Sequence, residues 1–248
     1  MAGNDFEVIG SSWEIYKTHV EDKPFFVSFD ADCDRPEIRE LFGREARILI
    51  AIKHPNSNGA PSSEEAAYIK MMEEALVDSI RNENIAARLV AKIAFDGIRE
   101  FVVELKDEQS FSAVIDEWKK EFSDYKIHMG YLQAWEYFNA MVWPSEEEWI
   151  MAKDYKVMSD LIAYGTDPTQ VHNIEYLFIG NQEDLDQLRD ALMKRHYVEG
   201  DSEDVSSLVM SIKLPLNYDD IINESILNDR LAKKYNCACD GWGASIVR

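Results

Sequence analysis

The segment Leu208-Val-Met-Ser-Ile-Lys-Leu214 alternates apolar and mostly polar residues with a period of two. It is the least ambiguous strand in the chain, with one face buried and the other largely wet. Working outward, the pattern begins with a strand at Val171, and Asn181 and Asp184 open a helix carrying Leu185, Leu188 and Leu192. Beyond Leu214, Asn217 and Asp220 open another helix with Ile222, Ile226 and Leu231, and Cys237–Val247 reads as a closing strand interrupted by Gly241 and Gly243. The order from Val171 to Val247 is strand, helix, two strands, helix, strand, the split β-α-β pattern of a ferredoxin-like sandwich.

The same order is legible upstream. Ala46–Lys53 is an apolar run dense enough to lie inside a sheet. Ser62 stands three residues before Glu65, a reciprocal cap, and Ile69, Met72, Leu76 and Ile80 follow at helical spacing over 63–82. Leu89, Ala91, Ile93 and Phe95 alternate up to Asp96-Gly97, and Phe101, Val103 and Leu105 alternate away from it, which predicts a hairpin on a type I′ turn. Phe111, Ile115, Trp118 and Phe122 mark a helix, and Tyr125–Tyr131 a last strand. Ahead of this core, Trp13–Val20 and Phe25–Phe29 read as two short strands joined by a turn at 21–24. The expected fold is α+β, two tandem ferredoxin-like (βαββαβ) sandwiches. Residues 1–140 form an N-terminal domain with its core at 46–132, and 171–248 form the second domain. Between them, 141–170 is a linker helix, with Pro144, Ser145 and Glu148 as its cap and Gly165 at its end.

The chain has 248 residues, enough for two domains that each bury a core. With 47 acidic against 26 basic residues its formal charge is −21, which argues against direct nucleic-acid binding and for a basic protein partner. No basic n-region precedes an apolar run and no window approaches a membrane span, so neither a secretory signal nor a membrane protein is expected. Cys33, Cys237 and Cys239 are too few and too unevenly placed for a disulfide framework, which fits a reducing compartment, and cytoplasm is the simplest address.

No catalytic constellation stands out. Asp30, Asp32 and Asp34 alternate as a calcium loop's carboxylates do, but Arg35 and Leu41 occupy the positions that need glycine and glutamate. A solvated strand end is the expected reading there. Cys237 and Cys239 lack a second pair for zinc and are expected to pack as small apolar residues on one strand face. The histidines are scattered, with no pair at i, i+4, and the Asn58-Gly59-Ala60-Pro61 loop has no lysine to make it a phosphate cradle. Trp135, Trp143 and Trp149 lack interleaved cations and are expected to pack in the interior. No catalytic, cofactor-binding or metal residues are therefore assigned.

The C-terminal half resembles the regulator of ribonuclease E activity B (RraB) family. The resemblance lies in Gly165-Thr166-Asp167, Ile174-Glu175-Tyr176-Leu177-Phe178, His196-Tyr197-Val198 and, most specifically, Asp240-Gly241-Trp242. Tyr176 stands where the family carries histidine, and Gly243-Ala244 follows Trp242 in place of an acidic-hydroxyl pair. Residues 1–140 resemble a bacterial domain of unknown function often fused ahead of such a module, through Trp13, the Ile48–Ile52 strand with its Asn-Gly-Ala-Pro loop, and the Asp-Gly hairpin. The resemblance implies action by protein contact, the family's named member binding ribonuclease E and restraining RNA decay. Asp167, Glu175, Tyr176, Asp240, Gly241 and Trp242 are the motif positions it transfers. The expected function is a non-enzymatic regulator or adaptor that offers an acidic surface to a protein, the partner being a basic or RNA-processing one. Two alternatives are a small-molecule-sensing module, since paired sandwiches can enclose a ligand, and an enzyme using Asp30, Asp32 or a histidine.

Overall fold

A computed structural model of the chain describes residues 7–202 and 204–245. Val247, expected at the end of the last strand, lies outside the described residues. The chain is α+β with two antiparallel sheets and divides into two compact units, Met1–Ser145 and Glu146–Arg248. Among the described residues no helix is long and apolar enough to cross a membrane.

The first unit runs β1 (Trp13–Val20), β2 (Lys23–Asp30), α1 (Pro36–Arg39), β3 (Arg44–Ala51), α2 (Ser63–Asn82), β4 (Ala87–Phe95), β5 (Ile98–Leu105), α3 (Glu108–Glu121) and β6 (Ile127–Gln133). Its strands are ordered β1-β2-β4-β5-β3-β6. From β3 to β6 the spatial order is fourth, first, third, second. The hairpin β1-β2 is no separate preface. It pairs through β2 with β4 and widens the same sheet to six strands. Its turn has two residues rather than four, because Glu21 and Asp22 both take positive φ (50° and 63°), the geometry that matches strand twist. Asp96 and Gly97 (45° and 79°) make the second such turn, as their sequence demands.

Helices α2 and α3 cover one face. Met72, Leu76 and Ile80 of α2 and Phe111, Ile115 and Trp118 of α3 pack on Ile48, Ile50, Phe101 and Val103. Each such fully buried side chain contributes about 1.5–3 kcal/mol. The Trp118 indole donates to the Met72 carbonyl at 3.0 Å, so its polar edge is not left dry. At the start of α2 the Ser62 hydroxyl accepts from the Glu65 amide, but the expected return bond is replaced. The Glu65 carboxylate reaches instead to the Lys53 and His54 amides (2.6 and 3.2 Å), tying the helix to the chain that leaves β3.

The opposite face is covered by aromatic chain from Trp135 to Trp143, which includes a π-helical turn at Phe138–Val142. Phe29 and Trp143 meet edge to face at 5.8 Å, and the Tyr16 hydroxyl donates to the Val142 carbonyl at 2.8 Å. The Arg39 guanidinium lies 5.1 Å from the Trp135 ring and 5.6 Å from that of Trp143. This face also buries charge. Asp30, expected to be solvated, is fully buried, its carboxylate receiving Arg88 Nη2 and Nε at 2.6 and 2.8 Å. Chain from elsewhere explains the difference: Arg88 of β4 and Gly10 pack against the carboxylate, and the Asp32 amide donates to it at 3.1 Å.

The second unit runs α4 (Glu146–Ala163), β7 (Val171–Ile179), α5 (Gln182–Met193), β8 (Val198–Glu199), β9 (Ser207–Pro215), α6 (Tyr218–Lys234) and β10 (Ala238–Ala244). Its sheet order, β10-β7-β9-β8, is again fourth, first, third, second. Asn181 and Asn217 cap α5 and α6 by accepting from the Asp184 and Asp220 amides (3.0 and 2.9 Å). Gly165, φ 96°, follows α4 in the left-handed turn expected of it. Leu185, Leu188 and Leu192 of α5 and Ile221 and Ala232 of α6 pack on Ile174, Tyr176, Phe178, Leu208 and Met210. α4 joins the same layer: Tyr155 meets Tyr218 edge to face at 5.6 Å, and Glu146 and Glu147 pair with Lys233 and Arg230.

Candidate functional site

In the second unit, β7 and β10 run side by side with Trp242 opposite Tyr176 and Gly241 opposite Leu177. A bulge falls between Cys239 and Gly241, and Gly241 takes φ 113°, which only glycine adopts without strain. Tyr176 and Trp242 share the helix-covered face with Asp154 of α4 and Ser225 of α6. The Trp242 indole donates to Asp154 Oδ1 at 2.7 Å, and the Tyr176 and Ser225 hydroxyls are 3.2 Å apart. Beside them is a cavity of about 50 Å³ whose polar lining is Lys153, Asp154, Tyr176, Ser225, Asp229 and Asp240.

Asp154 is the unusual member. It is 4% exposed, and its second oxygen, Oδ2, has no hydrogen-bond partner. Burial pushes its carboxyl up to about 6, against the pull of Ser225, Trp242 and the Lys153 charge. Asp229 already pairs with Lys233 at 3.0 Å, whereas Asp240 stands exposed at the rim. Lys153 lines the same cavity, so a cation already stands near Asp154, and Asp240 at the rim is the carboxylate open to a cationic group from outside.

A second polar chain continues along α6. The Tyr197 hydroxyl donates to Glu224 Oε1 (2.6 Å) and accepts from Asn228 Nδ2 (2.7 Å), while Arg195 donates to Glu224 and Asn228 at 2.6 and 3.2 Å. The rings of Tyr176 and Tyr197 lie edge to face at 6.2 Å and join the two chains.

Four of the six motif positions thus gather: Tyr176, Asp240, Gly241 and Trp242. Two do not. Glu175 is exposed, as the alternation of β7 requires. Asp167 is an exposed turn residue that accepts from the Thr169 amide and hydroxyl (2.9 and 2.7 Å), contacts that hold its carboxyl below the usual range. Cys237, just ahead of β10, is buried in the second unit's apolar core and the half-buried Cys239 packs against that core, while Asp30, Asp32 and Cys33 lie in the first unit. Among the described residues no cluster of His, Cys, Asp and Glu has the arrangement of a metal site.

Sequence reading passed over Asp154, Ser225 and Asn228. A signal was present: 150, 154, 158 and 161 on α4, and 221, 225, 228 and 232 on α6, have the spacing of one helix face. A carboxylate or amide in such a stripe is a buried polar group, which needs a partner or a purpose.

Because Asp154 binds its proton more tightly folded than unfolded, its contribution to stability is full below pH 3.8 and is lost as pH rises through about 6. Asp154→Asn, which keeps an acceptor for Trp242, should raise the stability of this unit at pH 8 by about 1–3 kcal/mol. The gain should vanish by pH 4, as read from thermal unfolding at both pH values.

Residues 11–140 match a family described as "Family of unknown function (DUF695)", and residues 152–244 match one described as "Regulator of ribonuclease activity B". No curated protein matches the chain. Among solved structures, a crystal structure of an unknown protein from Galdieria sulphuraria is 8% identical, covering 83% of this chain and 99% of its own, with a TM-score of 0.21. A crystal structure of a hypothetical protein is 9% identical, covering 97% and 96%, with a TM-score of 0.19. At those scores neither likeness bears on fold or function.

Proposed function

The chain belongs to the family of unknown function DUF695 through residues 11–140 and matches the ribonuclease-regulator family RraB over 152–244, and on that premise we propose that it is a non-enzymatic regulator. It acts by binding a protein through an acidic surface, and the partner is a basic protein of RNA processing. Its two units are tandem ferredoxin-like domains, and its place is the cytoplasm. The observation that carries this reading is the gathering of Tyr176, Asp240, Gly241 and Trp242 around the half-satisfied Asp154. A motif kept only for folding would not need a buried carboxylate with one oxygen unpaired, since that costs stability. The net charge of −21 supplies long-range attraction to a basic partner, and the exposed Asp240 at the cavity rim supplies a carboxylate for one of its lysine or arginine heads.

The test is capture from lysate with the full chain as bait. A partner should be held at low salt and released as salt shortens the Debye length from about 10 Å at 0.1 M to about 3 Å at 1 M. Asp240→Lys, an exposed reversal of charge at the cavity rim, should cut recovery at least tenfold while the variant stays folded. Recovering no partner at low salt, or one held equally well by Asp240→Lys, would overturn the proposal.

A further inference from the structure

In a chain with nearly two acidic residues for every basic one, one cleft runs against the composition. It lies in the first unit between α2 and the strands β4 and β5, encloses about 290 Å³, and is lined by Lys70, Lys92 and Arg99 with Glu73 as its single carboxylate. The topology places them. Lys70 and Glu73 are one turn apart on α2. Arg99 pairs across β5 with Ala94 of β4 on one side and with Ile50 of β3 on the other. Ile69 and Ala94 give the cleft an apolar wall.

The charges do not balance. Lys70 leans on Glu74 at the surface, 3.7 Å away. Lys92 Nζ meets Glu73 Oε1 at 3.1 Å, and Arg99 Nη2 is 3.8 Å from Glu73 Oε2, beyond a hydrogen bond. One carboxylate therefore faces two cations whose side chains are only 19% and 25% exposed. Arg99 Nε is buried with no hydrogen-bond partner. Burial pushes the guanidinium below its ordinary pKa, with only Glu73 countering. The guanidinium also lies 5.8 Å from the Phe101 ring, and its terminal nitrogens, rather than the enclosed Nε, are the donors an anion entering the cleft meets.

We propose that this cleft binds a small anionic molecule, a carboxylate or phosphate ester with an apolar body, whose charge is met by Arg99 and Lys92 and whose body rests on Ile69 and Ala94. The volume suits a small metabolite rather than a macromolecule. The site is independent of the partner-binding reading of the second unit, and its test needs no partner.

The full chain is melted in benzoate, phenyl phosphate or inorganic phosphate, each against chloride at equal ionic strength. At least one of the three should raise the midpoint above the chloride control in a saturable way. Benzoate against phenyl phosphate tells carboxylate from phosphate, and inorganic phosphate reports what the apolar wall adds. Arg99→Met should weaken the apparent affinity at least tenfold. Glu73→Gln, which removes the competing carboxylate, should strengthen it. Because the Lys92 ammonium sits 4.2 Å from the Trp13 ring, binding should also change tryptophan fluorescence, and Trp13→Phe should abolish that change. If Arg99→Met fails to fold, the sign of the Glu73→Gln effect decides. No anion exceeding chloride, a folded Arg99→Met that responds like the parent, or a Glu73→Gln that binds more weakly would each overturn the proposal.

Discussion

Truncating Glu45 to alanine is expected to destabilise the first unit by about 3–5 kcal/mol, because a buried and a half-buried amide lose their charged acceptor. Glu45 lies directly opposite Glu104 across β3 and β5, and both are fully buried. Glu45 accepts from the Tyr137 and Phe138 amides (3.0 and 2.9 Å), and Glu104 accepts from the Trp135 amide (2.8 Å). The two carboxyls thus anchor the aromatic segment over the sheet. Two adjacent anions cannot both remain charged in such a site, and burial together with the neighbouring Glu45 pushes Glu104 up to about 9. Burial raises Glu45 as well, so the pair is expected to share one proton at neutral pH. Since Glu104 is protonated in the folded chain and ionised in the unfolded chain between pH 4.5 and about 9, stability should fall as pH rises across that window. Glu104→Gln keeps a neutral hydrogen-bonding group and should flatten the fall. Urea unfolding from pH 5 to pH 9 measures both, and a parent protein equally stable at the two ends would contradict the shared proton.

Asp30→Ala should cost about 3–5 kcal/mol, the penalty of leaving a buried cation without its partner. Arg88 is 5% exposed, and its other carboxylates, Glu7 and Asp32, are 3.8 and 4.0 Å away, too far to replace the two bonds to Asp30. Asp30 also accepts from the Asp32 amide at 3.1 Å, so its loss loosens the turn at 31–34 as well. The double variant Asp30→Leu/Arg88→Met should recover most of the lost stability, because matched apolar side chains remove the charge and the need for it together. Gly10 belongs to the same packing: a Cβ there would fall on the Asp30 carboxylate and the Arg88 guanidinium, so Gly10→Ala should disturb the pair. Denaturant midpoints of the two single variants and the double complete the cycle. Additive losses would show that the pair is not coupled.

Much of the architecture is readable residue by residue. The alternation at Leu208–Leu214, the Asp96-Gly97 turn, the caps at Asn181 and Asn217 and the leucine stripe of α5 each depend on residues within four positions of one another. Those local rules yield the element order in both halves, and the Asp240-Gly241-Trp242 signature points to the RraB match. Which strands become neighbours is another matter. That the hairpin β1-β2 joins the first sheet, that Trp135–Trp143 covers its second face, and that Asp30 is buried all follow from pairings between distant segments. The same holds for the charged groups that matter most. Asp30 and Arg88 are 58 residues apart, and Asp154 and Trp242 are 88 apart. Periodicity tells which face of an element is apolar, but the state of a carboxyl on that face depends on what the rest of the chain places against it. The sequence by itself therefore determined the elements and their order. Only the tertiary structure decided which polar groups are buried, which are matched, and which, like Asp154 and Arg99, are left with an unmet bond, because desolvation is a property of the whole packed neighbourhood.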